Sequence, residues 1–141
     1  MKALSSFGIL AVFLVAATAI PQSGQPTDKP TATEHRAGPN GLEGWTLNSP
    51  IPDHPGETFP FTLVIARNGR VIRKIDGDPF VWQWIFWNNG RQVAYESGPL
   101  HFGLQCILVS LTTGKQLASY DCFHGVPANA PVWLKTLEDE H

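Results

Sequence analysis

The chain has 141 residues, the length of one modest domain, and its net charge of −2 carries no basic block of the kind that marks a nucleic-acid footprint. Hydrophobic residues make up 43% against 16% charged, with five Trp and eight Phe, which excludes a disordered polar chain because such a composition buries surface.

The first nineteen residues read as a secretory signal peptide. Lys2 supplies the positive start, Phe7 to Ala17 is the apolar stretch, and Ala17-Thr18-Ala19 gives the small-x-small cleavage pattern. Cleavage is expected after Ala19, with Ala17 the alternative. A membrane span needs about 20 apolar residues, and Pro21, Gln22 and Ser23 end this run early, so the mature chain carries no span. The expected location is periplasmic or secreted, an oxidising setting for Cys106 and Cys122.

Residues 20–44 are rich in Pro, Gly, Ser, Thr and Asn and show no apolar period, which predicts a disordered linker. Residues 45–141 then form the single domain. Trp45, Leu47, Ile51 and Phe59 predict an irregular strap lying against it. Three hairpins follow. The first pairs 61–67 with 70–75 across Asn68-Gly69, a dipeptide that accepts the positive φ of a type I′ turn. Asp76-Gly77-Asp78-Pro79 interrupts, since Pro cannot donate to a ladder.

The second hairpin pairs 81–87 with 91–97 across Asn88-Asn89-Gly90. Its first strand is apolar on both faces: Trp82, Trp84 and Phe86 on one, Val81, Ile85 and Trp87 on the other. A strand of that kind sits in the middle of something. The third hairpin pairs 104–111 with 115–123 across Thr112-Thr113-Gly114. A short helix is expected over about 130–139, with Asn129 as N-cap and Val132, Trp133 and Leu137 as its apolar stripe. The fold class is therefore mainly all-β: a six-stranded antiparallel meander with an N-terminal strap and a C-terminal helix.

The run Trp84-Ile85-Phe86-Trp87-Asn88-Asn89-Gly90-Arg91-Gln92-Val93-Ala94-Tyr95, followed by Leu111-Thr112-Thr113-Gly114-Lys115, resembles one blade of a WD40-like propeller of the periplasmic TolB type. With the preceding hairpin, the resemblance covers about one and a half blades over residues 61–123 and implies a blade-like sheet but no catalytic residue. Propellers close with about four or more blades, so either the meander stands alone under its own helix and strap, or copies associate.

Few residues point to chemistry. Cys106 and Cys122 flank the last hairpin turn on a shared face, with neither a C-x-x-C spacing nor an adjacent base, which favours a structural disulfide over a redox pair. A three-residue loop pairs Cys106 with Tyr120, and a loop shifted by one sets the two Cys opposite. His101 and His124 fall at neighbouring strand ends with Glu96 and Asp121, a set able to hold zinc, although the spacing matches no ligand motif. Arg67, Arg70, Arg73, Lys74 and Arg91 place positive charge around the first two hairpins; a guarded sheet edge or an anion site would each use it. No nucleophile elbow or phosphate loop occurs, and no cofactor is implied.

The sequence thus reads as an exported, non-catalytic binding module. Trp82, Trp84, Phe86 and Trp87 are its candidate interaction face, for an unknown protein partner or a second copy. A metal-assisted hydrolase on His101 and His124, and a self-assembling envelope protein, are the alternatives.

Overall fold

Hairpin geometry organises the described residues. A computed structural model describes residues 29–140, so the expected signal peptide and residues 20–28 of the expected linker lie outside the described residues. The class is mainly β, with antiparallel strands and one short helix. Strands β1 (Thr31–Ala32), β2 (Arg36–Ala37), β3 (Leu42–Pro50), β4 (Thr58–Arg67) and β5 (Arg70–Asp76) form the first sheet. Strands β6 (Phe80–Trp87), β7 (Gln92–Gly98), β8 (Gln105–Ser110) and β9 (Gln116–Asp121) form the second, and α1 is Val132–Glu138.

The single six-stranded meander is corrected to two sheets, because β5 and β6 do not pair. Residues 76–79 carry the chain across. The Gly77 N–H donates to the Phe61 carbonyl at 2.8 Å and the Asp78 N–H to the Ser97 hydroxyl at 2.7 Å, while Pro79 has no N–H to give. Backbone polar groups are thus satisfied at the crossing without a ladder.

The N-terminal expectations change as well. Residues 31–37 carry β1 and β2, which pair with β3, and the expected strap contains the long antiparallel ladder of β3 with β4. Ladder hydrogen bonds use the main chain, so a segment poor in apolar side chains joins an edge at little cost in hydrophobic pattern. His35 stacks on Trp45 at 4.0 Å and bonds Glu43, while Thr33 and Thr46 bond each other.

The two sheets pack face to face. Leu63 and Ile65 from the first sheet meet Val81, Trp84, Val93 and Tyr95 from the second in one buried cluster. Gly44 makes room for this contact: a Cβ there would meet Trp84 Cη2 at 2.5 Å. The expected alternation along β6 holds from Trp84 onward, with Trp84 and Phe86 towards the first sheet and Ile85 and Trp87 away from it. It fails before that. A bulge between Val81 and Trp84 turns Val81 to the Trp84 side.

The far face of the second sheet is covered by α1. Trp133, Leu134 and Leu137 bury against Ile85, Ala94, Cys106 and Leu108. Two details of the helix differ from expectation. Val132 is 68% exposed, because Leu134 and not Val132 falls on the face with Trp133 and Leu137. The residue before the helix is Pro131, with no side-chain cap bond, and Asn129 lies outside the first turn.

Leu137 is fully buried between helix and sheet, so Leu137→Ala should cost about 2–5 kcal/mol, read as a lowered denaturant midpoint at unchanged slope. Burial in the inter-sheet core also raises the Tyr95 phenol above its ordinary 10.0. The unfolded chain then loses this proton first, so the contribution to stability is fully present below about pH 10 and is lost as pH rises through the folded value. Stability measured between about pH 9 and pH 11 should therefore fall more steeply in the parent chain than in Tyr95→Phe.

Candidate functional site

The three hairpin turns gather at one end of the double sheet. Asn68 and Gly69 take φ of 49° and 76°, as the type I′ expectation requires, and Asn88, Asn89 and Gly90 are left-handed in succession at 51°, 53° and 75°. The opposite end of the second sheet is built by the loop from β7 to β8 and by the residues after β9. Each end carries a surface hollow of distinct chemistry.

The hollow at the loop end is apolar, about 460 Å³ in volume, and lined by Trp82, Leu100, Phe102, Leu104 and Phe123. Phe102 is 68% and Phe123 43% exposed, which is unusual for large apolar side chains drawn to one concavity. Gln83 and the buried Glu96 supply polar groups in its wall. Trp82 is fixed in place: its indole N–H donates to the Gly98 carbonyl at 2.9 Å, and its ring meets Phe59 and Phe80 edge-on.

The four residues of the expected interaction face divide, with Trp84 in the core and Trp82, Phe86 and Trp87 half-buried. Trp84 is 3% exposed under the first sheet, Phe86 packs against the same cluster, and Trp87 packs on the helix side. Of the four aromatic residues, Trp82 lines the apolar hollow. Phe102 was missed by sequence reasoning because it lies outside the expected strands, and Phe123 because the last strand was expected to run to 123, whereas β9 ends at Asp121. Phe102 left a signal in its position, a large apolar residue inside a loop, where burial has no strand or helix to enforce it.

Cys106 and Cys122 form a disulfide with a Cα–Cα distance of 5.9 Å. Cys106 pairs in register with Tyr120, as a three-residue loop predicts, and Cys122 continues along the same face. Both sulfurs lie in the cluster beneath α1. The expectation of no adjacent base is corrected. Glu96 pairs in register with Cys106, and its carboxylate lies within 4.8 Å of both sulfurs. Burial of Cys106 at 1% and Cys122 at 8% closes the bridge to a reacting thiol, so its role is structural.

The proposed metal ligands do not converge. Among the described residues, the one group of three ligand side chains within 4.8 Å is Glu96, Cys106 and Cys122, whose sulfurs are spent in the bridge. His101, His124 and Asp121 are outside it. Asp121 instead accepts the Phe123 N–H at 3.0 Å, and His124 stacks edge-on with Phe123. Glu96 is brought by its register with Cys106 to the disulfide instead.

The hollow at the turn end is polar. It holds about 640 Å³ and is lined by Arg67 and Arg73 from the first sheet and Arg91 and Thr112 from the second. Arg73 donates through Nη1 to the Ile72 carbonyl at 3.1 Å and through Nη2 to the Thr112 carbonyl.

Comparison of the chain with family models, curated proteins and solved structures gives no match. Described geometry is therefore the ground for function. The disulfide closes a loop with a sequence separation of 16, so its reduction should lower unfolding stability by about 3 kcal/mol, measured by denaturation with and without reductant.

Proposed function

We infer that the chain is an exported, non-catalytic binding module whose apolar hollow accepts an aromatic or aliphatic side chain of a protein partner. One observation carries this reading: Phe102 and Phe123 stay exposed around a concavity with Trp82 at its wall, whereas Phe59, Phe80, Trp84, Tyr95 and Trp133 are buried. Concave apolar surface with a few fixed polar groups is the usual form of a recognition site. Anchoring by one apolar side chain in such a pocket concentrates binding energy in few residues.

The scaffold supports the reading. A disulfide and a helix brace the sheet beside the hollow, so the loop residues sit on a rigid base. Among the described residues no helix is long and apolar enough to cross a membrane, and the disulfide is compatible with an oxidising compartment. The blade-like resemblance remains a proposal of architecture. What supports it is that two antiparallel sheets share one core cluster and that α1 covers the far face of the second.

Panning a random peptide library on the immobilised chain tests the site. Enriched peptides should share an aromatic or long aliphatic residue, and Phe102→Ser and Phe123→Ser should each weaken them about tenfold or more. Enrichment that both variants leave unchanged would place recognition elsewhere.

A further inference from the structure

The turn-end hollow belongs to neither the core nor the apolar site. Its composition is one-sided: Arg67, Arg73 and Arg91 line it with Asn40, Asn89 and Thr112, and no carboxylate lines it. Among the described residues the ion pairs are His35–Glu43, Arg36–Glu140 and His54–Glu57, and none uses these three arginines.

Register explains how the cations converge. Arg67 pairs with Leu42 and Arg73 with Ile65, so both share the face of buried residues that looks towards the second sheet. Arg91 arrives from the other side, directly after the left-handed run 88–90. Gly90 has to be glycine there, since a Cβ would meet Leu42 Cδ1 at 2.5 Å. Arg70 and Lys74, which belong to the same hairpin, do not line the hollow. An edge guarded by cations accounts for Arg70 and Lys74; it does not account for three guanidinium groups drawn from two sheets into one concavity.

Arg73 is held as a fixed charge. Both its terminal nitrogens donate to backbone carbonyls, and its Nε is buried without a hydrogen-bond partner. Two backbone donors of the turn are already spent, the Gly90 N–H on the Trp87 carbonyl and the Arg91 N–H on the Asn88 carbonyl. The site therefore offers guanidinium forks, whose planar donor pairs match oxyanions. Its volume is in the range of small-molecule sites and exceeds what one inorganic anion fills. The chain's net charge of −2 provides no broad pull on long polyanions, which leaves a local site for a small ligand.

We propose that this hollow binds a small molecule carrying two or more oxyanion groups, held by Arg67 and Arg91 within the field of Arg73. Phosphate, sulfate and carboxylate share the chemistry, so three probes separate them: inorganic pyrophosphate, a heparin-derived sulfated disaccharide, and citrate. Amide chemical shifts of the whole chain are followed at about 0.15 M salt, where the screening length is about 8 Å. At least one probe should give saturable shifts at residues 89–91 and 111–114, and Arg67→Gln and Arg91→Gln, both exposed positions, should each weaken it about tenfold. Arg70→Gln removes the same charge outside the hollow and should change affinity by less than about twofold. The proposal fails if no probe gives saturable shifts at these amides by about 10 mM, or if Arg70→Gln weakens binding as much as Arg91→Gln does. Spectra unchanged elsewhere show that each variant folds. Loss of this site leaves the apolar hollow untouched, so the two readings stand or fall separately.

Discussion

The structure depends on a strand that must be buried on both faces. β6 carries Trp84 and Phe86 on one side and Ile85 and Trp87 on the other, and fully burying each such side chain is worth about 1.5–3 kcal/mol. Leaving either face bare would forfeit several of these contributions, so β6 needs a layer above and a layer below. The chain supplies both from itself. The first sheet covers Trp84, with Gly44 admitting its ring, and α1 covers the opposite side. Self-association is therefore not required to bury the aromatic strand.

That constraint was legible in the sequence; the device that meets it was only partly so. Strand positions, the Asn-Gly turn and the apolar strand stood out because period-two patterning and turn chemistry are local signals. The split into two sheets did not, since it rests on where Gly77 and Asp78 send their N–H groups. The pairing of 31–37 with β3 was hidden for a related reason. Main-chain bonds add an edge strand without leaving an apolar pattern, so a Pro-rich segment read as linker.

The candidate sites divide along the same line. The Cys pair was readable because a hairpin fixes which residues share a face. Glu96 stands at the loop end, in the wall of the apolar hollow, but its neighbour Cys106 comes from the next strand, and only the register joins them. Phe102 and Phe123 belong to loops, where no periodicity reports exposure. The arginines were visible as a group, but only the register sets Arg73 opposite buried Ile65 and its neighbour Lys74 opposite Val64, on the other face.

Strand direction also explains why the two ends differ in chemistry. Turns of two or three residues demand positive φ, hence Asn and Gly, and these bring little apolar surface of their own. The flanking strand ends supply the character of that end, and here they are Arg67 and Arg91. The β7–β8 connection is longer and is free to carry Leu100, Phe102 and Leu104. A double sheet braced by a disulfide and a helix near one end, and by tight turns at the other, thus holds an apolar concavity and a cationic one on a common rigid core. Because Arg67 and Arg91 at one end and Phe102 and Phe123 at the other are exposed and outside the core clusters, either surface can change at these residues without loss of the fold.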